Sequence, residues 1–266
     1  MRDEEYRAMF DLEERLWWYR GMRSITASLL GQDVLESARL LDVGCGTGYS
    51  LVWLRDQYNL SRVYGVDLSE LAAEFWRARN LDTVAISAVD KLPFGEGEFD
   101  LVTCFDVIYQ LDDERASEAV SEMNRVLKSG GLLFIREPAY QWMRGGHDVA
   151  VGTYRRYTLG ELRRLLQARG FMAKRYTYAN TLLFAAALFH RVLSRITGST
   201  ESDVKPAATW LNTLLETFLK LEARVLKRIS FPFGLSLMVV AQKKSLPKAD
   251  ASSLLYNQEA PARSTN

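Results

Sequence analysis

The sequence is poor in cysteine and histidine, the residues that most often build disulfide frameworks and metal sites. Its two cysteines, Cys45 and Cys104, are too few for a disulfide framework or a zinc site, and they favour a reducing cytoplasm. Its two histidines, His147 and His190, add no metal-ligating cluster. We therefore expect no metal cofactor.

Long apolar runs are also missing. The first ten residues, MRDEEYRAMF, are acidic and contain no apolar core of signal-peptide length. No segment reaches the roughly 18 to 20 apolar residues of a membrane span, and no internal repeat is present. With 48% hydrophobic residues the chain can still bury a sizeable core, so we expect a cytoplasmic globular protein.

The net charge is only +1, but acidic and basic residues are unevenly distributed along the chain. Residues 1–150 carry 16 basic and 26 acidic side chains, whereas residues 151–244 carry 16 basic and 5 acidic ones. A basic segment of this size favours an anionic partner, such as a phosphorylated substrate, a membrane surface or nucleic acid. The alternative is that the two parts attract each other within the fold.

The most informative stretch is LLDVGCGTGYSL, residues 40–51. An apolar run leads into three glycines at alternate positions, and a helix-compatible segment follows, which predicts a strand, a tight turn and a helix. Glycine lacks a Cβ atom, so a ligand can approach the main chain closely while the free N–H groups of the next helix point towards it.

The glycine spacing distinguishes between two nucleotide ligands. A dinucleotide fingerprint of the form G-x-G-x-x-G requires glycine where this chain has Tyr49. Asp67 closes a second apolar run, residues 63–66, and an acidic residue at the end of the second strand can bind ribose hydroxyls. At these residues the chain resembles the class I S-adenosylmethionine (SAM) dependent methyltransferases.

The later segments fit an alternating pattern. Apolar runs at 84–89, 101–107, 132–136, 171–179 and 236–242 predict further strands, with helices between most of them. The resemblance implies an α/β fold with a Rossmann-like, doubly wound, seven-stranded sheet whose last strand is antiparallel. We predict a helical lid (1–37), a SAM-binding core (38–179), a helical insertion (180–232), the last core strand (233–244) and a disordered tail (245–266).

The resemblance also implies the cofactor, SAM, with S-adenosylhomocysteine as its product. In the family the glycine turn holds the methionine part, an acid such as Asp67 holds the ribose, and an acid such as Asp90 contacts the adenine. A lid segment like residues 17–23, WWYRGMR, folds over the cofactor in many members. The candidate cofactor-binding residues are Asp42, Gly44, Cys45, Gly46, Gly48, Asp67, Leu68, Asp90, Lys91, Phe105, Tyr19 and Arg23.

The loop after the fifth predicted strand is expected to bind the methyl acceptor, because it faces the carboxyl ends of the strands. His147 can take a proton from an attacking nucleophile, and Tyr154 is the second candidate catalytic residue. The alternative for His147 is that it only holds a turn together. The candidate acceptor-binding residues, each of which can instead be solvated or packed, are Tyr140, Arg155, Arg156 and Tyr157.

The insertion contains two apolar segments with basic residues, at 180–196 and 210–229. Basic amphipathic helices can lie on an anionic bilayer, cover an apolar acceptor or pair with a second subunit. The alternative is an added helical layer that completes the fold. The protein is accordingly placed in the cytoplasm, with peripheral contact at the inner face of the membrane and homo-oligomerisation through residues 180–232 both left open.

Three hypotheses for function remain open. The first is methyl transfer from SAM to a small-molecule or lipid-linked acceptor that is anionic, apolar or both. The second is a non-catalytic binding module that keeps the SAM fold, and the third is an NAD-dependent reductase, which Tyr49 argues against. The chain lacks the N/D-P-P-Y/F run of enzymes that methylate amino groups of nucleic acids, so nucleic acid is not expected as a substrate.

Overall fold

The computed structural model of the protein describes residues 2–31, 34, 36–145, 148–149, 151–185, 188 and 208–245. They form a seven-stranded sheet with the order β3-β2-β1-β4-β5-β7-β6. Strands β1 to β5 are parallel to one another, whereas β7 is antiparallel to both β5 and β6. The predicted fold class is therefore confirmed.

The central strands are apolar on both faces because helices cover the sheet on both sides. Successive side chains point to opposite faces, so Leu40 and Leu41 are both fully buried but belong to different core layers. The strands are β1 Arg39–Val43, β2 Arg62–Asp67, β3 Val84–Ile86, β4 Phe99–Phe105, β5 Leu127–Pro138, β6 Phe171–Ala179 and β7 Ser236–Lys243.

The helices of the described residues fall into two layers. One layer contains α5 and α6, and the other contains α2, α3, α4 and α7. A capping box between Thr158 and Glu161 starts α6, as the T-x-x-E pattern predicts. The helices are α1 Asp3–Leu12, α2 Trp17–Leu30, α3 Tyr49–Tyr58, α4 Ala72–Ala78, α5 Asp113–Val126, α6 Leu159–Ala168 and α7 Thr209–Leu226.

The apolar residues of segment 3–31 follow a helical spacing throughout, yet the amino-terminal segment is not one continuous helix. It forms two helices with a turn at residues 13–16. The turn is stabilised by long-range contacts: the amide of Trp17 donates to Oδ1 of Asn212 at 2.8 Å, and Nδ2 of Asn212 donates to the carbonyl of Arg15 at 3.1 Å. Helical periodicity in the sequence gives no indication of such long-range hydrogen bonds.

The insertion between β6 and β7 supplies α7, which packs on α2. Gly21 makes this close approach possible, because a Cβ atom there would lie 2.5 Å from Cβ of Leu219. No helix in the described part of the chain is long and apolar enough to cross a membrane. Most of the predicted helix 180–196 and residues 246–266 of the predicted tail lie outside the described residues.

The contact between α2 and α7 can be tested by adding one methyl group. Gly21→Ala should lower the free energy of unfolding by about 1 to 2 kcal/mol, because overpacking costs about 1 to 3 kcal/mol and alanine's helix propensity offsets part of it. Urea denaturation measures this change. Gly160→Ala in α6 is the matched control: its new Cβ meets nothing within 4 Å. Equal or higher stability of Gly21→Ala than of wild type would contradict the packing.

Candidate active site

A cavity of about 730 Å³ lies at the carboxyl ends of the parallel strands. This is the edge at which open α/β sheets bind ligands. The glycine turn after β1, the end of β2 and the segment after β4 form its floor, and α1 with the start of α2 form its roof. The sheet and the amino-terminal helices thus enclose one compartment.

The glycine turn forms part of the floor with a backbone conformation that favours glycine. Gly44, Gly46 and Gly48 have φ values of 78°, 55° and 83°, in the left-handed region that glycine tolerates. A Cβ atom on Gly44 would lie 2.4 Å from Cγ2 of Val107. The amides of Gly44 and Cys45 donate to the carbonyl of Val66, which fixes the turn against β2.

Asp42 lies beneath this turn and is buried. Its carboxylate accepts hydrogen bonds from Oγ1 of Thr103 at 2.6 Å and from the hydroxyl of Ser50. Burial raises its pKa to about 6, although both hydroxyls stabilise the charged form. Asp42 therefore joins β1, β4 and the start of α3, and it does not line the cavity.

Asp67 at the end of β2 is the buried acid of the cavity floor. Its Oδ1 accepts from the Tyr6 hydroxyl at 2.7 Å and from the Ser69 amide at 3.0 Å, and its Oδ2 accepts from the Gly46 amide at 2.8 Å. A carboxylate has about four acceptor positions. One position therefore remains for a ligand while Tyr6 is bound, and two become available if Tyr6 is displaced.

Glu13, in the turn between α1 and α2, fastens the roof to the glycine turn. Its carboxylate accepts from Oγ1 of Thr47 at 2.5 Å and from Nη2 of Arg79 at 2.8 Å. Nη1 of Arg23 donates to the Glu13 carbonyl at 2.7 Å, and the Arg23 guanidinium lies 4.7 Å from the ring centre of Tyr49. Burial raises the pKa of Glu13 to about 7 despite the two arginines.

The other half of the cavity is built around an ion pair. Nε and Nη2 of Arg136 both donate to Oδ2 of Asp106, at 2.9 and 2.5 Å. The guanidinium lies 5.1 Å from the ring centre of Trp18 and 5.0 Å from that of Phe105. The remaining wall is mainly apolar, and it includes Leu16, Trp17, Val107, Tyr109, Leu111, Met143, Val151 and Leu235.

Asp106 is held in an unusual conformation by the strand ends. Its φ is 56°, a value that residues other than glycine seldom adopt. The buried Glu137 accepts the amides of the next three residues, 107–109, at 3.0 to 3.3 Å. These bonds hold the segment after β4 in place, so the Asp106 side chain has a fixed position in the cavity.

The structure brings eight of the twelve candidate cofactor residues to the cavity, namely Gly44, Cys45, Gly46, Asp67, Leu68, Phe105, Tyr19 and Arg23. Asp42, Gly48, Asp90 and Lys91 are not among the lining residues. Asp90 instead accepts from Nε of Arg115 at 2.7 Å, and this bond lowers its pKa. Its assignment to adenine stays a prediction.

The acceptor candidates are more dispersed. Arg155 is paired with Asp113 at 2.5 Å and Glu161 at 2.8 Å, away from the cavity. Arg156 lines the cavity, but its guanidinium donates twice to Asp148, at 2.7 and 3.0 Å. Both arginines are therefore already paired with carboxylates of this chain.

The three candidate tyrosines do not line the cavity. Tyr140 stacks on Tyr178 at 5.1 Å, Tyr157 is buried in the core, and Tyr154 is 53% exposed. His147 lies outside the described residues.

Sequence reasoning missed Tyr6, Glu13 and Arg136 as parts of the site. Arg136 had a usable signal, because it is a charged residue at the carboxyl end of an otherwise apolar strand, like Asp106. Tyr6 and Glu13 carry no comparable signal. Their partners are 61 and 34 residues away in the chain, and only the folded structure brings them together.

Known proteins resemble this chain in sequence over part of its length. Residues 41–135 match the family model described as a methyltransferase domain. A malonyl-[acyl-carrier protein] O-methyltransferase of Geobacter sulfurreducens is 32% identical over 166 residues, 54% of this chain and 59% of that protein. A ubiquinone/menaquinone biosynthesis C-methyltransferase of Laribacter hongkongensis is 31% identical over 150 residues, 52% of this chain and 57% of that protein. The chain spans about half the length of the curated relatives it matches.

A solved structure shows the same fold. The methyltransferase of a Haloferax volcanii complex with the Trm112 methyltransferase activator has a TM-score of 0.60 and 22% identity, covering 91% of this chain and 94% of that one. The match of residues 41–135 to a methyltransferase domain and the shared fold are consistent with the class I, Rossmann-like SAM-dependent methyltransferases.

The cavity fits SAM, the cofactor of this family. Gly44, Cys45 and Gly46 of the glycine turn line the cavity, and Asp67 keeps one acceptor position for a ligand. Arg23 lines the same cavity, and its guanidinium lies 4.7 Å from the ring centre of Tyr49, which follows the turn. That these residues hold the ribose and the methionine part of SAM stays a prediction. In the described part of the chain, no group of three or more His, Cys, Asp or Glu side chains is arranged to hold a metal ion.

The raised pKa of Glu13 predicts a specific dependence of stability on pH. The folded chain holds a proton on Glu13 up to about pH 7, whereas the unfolded chain releases it near its ordinary pKa of 4.5. Stability therefore falls as the pH rises through this window. Glu13→Gln cannot lose that proton, so its free energy of unfolding should rise relative to wild type, by about 1 to 3 kcal/mol, between pH 5 and 8.

Urea denaturation at several pH values measures this difference. Glu14→Gln is the matched control, because Glu14 binds the same Arg79 but is 51% exposed. A difference between Glu13→Gln and wild type that stays constant with pH would contradict the burial of a titrating Glu13.

Proposed function

We propose that this protein transfers the methyl group of SAM to a small-molecule or lipid-linked acceptor whose bound portion is mainly apolar. The supporting observation is the cavity of about 730 Å³, a size typical of small-molecule sites. Its Asp67 end presents the glycine turn and a buried carboxylate, whereas its Asp106 end presents aromatic and aliphatic walls with two ion pairs, Arg136–Asp106 and Arg156–Asp148. Two chemically different ligands match these two ends.

Bound SAM supplies an electrophilic methyl group on a sulfonium sulfur. The protein then has to hold the acceptor atom in line with the S–CH3 bond, and a base is needed only where the acceptor must lose a proton. Arg136 uses Oδ2 of Asp106 for both of its hydrogen bonds. We assign Oδ1 of Asp106 to accept a hydrogen bond from the acceptor's hydroxyl or amine, and thereby to orient it.

The charges favour an apolar acceptor over a phosphate-bearing one. Arg156 is held by Asp148, Arg136 by Asp106, and Arg155 points away from the cavity. An anionic acceptor would have to compete with these carboxylates. Of the relatives named above, the C-methyltransferase of ubiquinone and menaquinone biosynthesis is named for apolar quinones and fits this proposal, whereas the other is named for a malonyl group, which carries a carboxylate.

The proposal is tested first by calorimetric titration with S-adenosylhomocysteine, with NAD as the control ligand. Binding of S-adenosylhomocysteine alone is expected, and binding of NAD alone would favour a reductase. Transfer of labelled methyl from SAM is then measured with apolar phenols, hydroquinones and fatty acids against phosphorylated compounds. Cofactor binding without transfer to any of them would favour a non-catalytic module.

Two substitutions should separate the two ends of the cavity. Asp67→Ala is expected to weaken S-adenosylhomocysteine binding by about 1.5 to 3 kcal/mol, the scale of hydrogen bonds to a charged group. Asp106→Asn should leave that affinity within about twofold and lower the rate of methyl transfer at least tenfold, because an amide is a weaker acceptor. Calorimetry and the labelled-methyl assay measure the two effects.

Asp56→Ala is the control for both, because Asp56 is an exposed carboxylate paired with Arg55 in α3. Unchanged affinity of Asp67→Ala would remove Asp67 from the cofactor site. An equal loss of cofactor affinity in Asp106→Asn would contradict the division of the cavity.

A further inference from the structure

Helix α7 has charged residues on two faces, but its acids point inward. Glu216 forms ion pairs with Nε of Arg20 at 3.2 Å and with Nζ of Lys220 at 2.6 Å. Glu222 is buried and accepts from the amides of Thr181 and Leu182 at 3.2 and 3.3 Å. These are the two acidic residues of α7, so the other exposed charges in and just after the helix, on Arg224, Lys227 and Arg228, are basic.

A second face of α7 is apolar and exposed in the described structure. Its residues follow one another at intervals of three or four, which places them along one side of the helix over about 22 Å. Their exposed fractions lie between 38% and 70%. We call this face the α7 stripe, and it consists of Trp210, Leu214, Phe218, Leu221 and Val225.

Basic residues border the α7 stripe. Arg224 lies along the helix, and Lys227 and Arg228 follow its end, all of them exposed, whereas Lys220 is paired with Glu216. An apolar face with a basic border and a tryptophan at one end is the pattern of helices that lie in the interface of a membrane. Each basic residue near an anionic surface adds attraction that salt weakens.

We propose that the α7 stripe and its basic border dock this protein on an anionic lipid bilayer, with α7 parallel to the surface. The charge pattern favours lipid over a second copy of the chain. A two-fold axis through the stripe would bring the same patch of each copy together, and the basic borders would then face each other. Anionic headgroups neutralise that border, whereas a second copy repels it.

The docking surface is rigidly connected to the cavity. Leu219 packs against Gly21 of α2, and Asn212 accepts the amide of Trp17, the first residue of α2 and part of the cavity wall. Docking would therefore hold the acceptor end of the cavity beside the bilayer. This consequence rests on the proposed function, whereas docking itself is measured without SAM or acceptor.

The test is co-sedimentation of the full chain with phosphatidylcholine vesicles, with and without 30% phosphatidylglycerol. Binding to the anionic vesicles is expected to be at least tenfold stronger than to phosphatidylcholine alone and to fall at high salt. The double variant Leu214→Glu, Leu221→Glu should weaken anionic binding at least tenfold. Ile86→Glu is the matched control, because Ile86 is a 51% exposed apolar residue on β3.

Several outcomes would overturn the proposal. One is equal binding to both vesicles, and another is anionic binding that the double variant leaves unchanged. A dimer in sedimentation velocity that the double variant dissociates would assign the stripe to a second copy. A loss of thermal stability in the double variant, but not in Ile86→Glu, would show that another segment of this chain covers the stripe.

Discussion

Two carboxylates, Glu13 and Asp67, fasten the amino-terminal helices to the glycine turn. Asp67 receives the Tyr6 hydroxyl of α1, and Glu13 receives the Thr47 hydroxyl and the Arg79 guanidinium. Both acids are buried, and breaking a buried charged contact is costly because it leaves an uncompensated group. These contacts keep α1 and the start of α2 over the cavity. Access of a ligand to the cavity therefore depends on how easily the contacts break.

The insertion supports the same roof from the other side. Because Gly21 lacks a side chain, α7 approaches α2 closely, and Asn212 fixes the turn that precedes α2. The acceptor half also uses other elements. Glu137 holds the segment after β4, and Arg136 holds the Asp106 carboxylate, so β4 and β5 position the acid of this half. Trp17 and Trp18 of the roof complete its wall, so both halves of the cavity depend on the amino-terminal helices.

Much of the fold could be predicted because its signals are local. The glycine spacing of residues 44–48, the acid at 67 and the alternation of apolar strands with helices are all visible within short windows. The break at residues 13–16 was not predictable, because helical periodicity continues through it and Asn212, which fixes it, is about 200 residues away. The same local signals gave the twelve candidate cofactor residues, eight of which line the cavity, and their binding of SAM stays a prediction.

The acceptor end could not be predicted in the same way. Arg155 looks like an anion-binding residue in sequence, yet Asp113 and Glu161 neutralise it in the fold. In α7, Lys220 does pair with Glu216, whereas Glu222 is buried and accepts backbone amides of residues 181 and 182. What a charged residue can bind depends on its pairing with side chains that are distant in sequence. The amino-acid composition does not show that pairing.

The most direct test of this account is hydrogen–deuterium exchange with and without S-adenosylhomocysteine. The account predicts slower exchange of the amides of residues 43–47, 67–69 and α1, because the ligand binds between the glycine turn, Asp67 and the roof. Residues 107–109, which Glu137 already protects, should change little. Binding that leaves residues 43–47 and 67–69 unprotected would contradict the placement of the cofactor in this cavity.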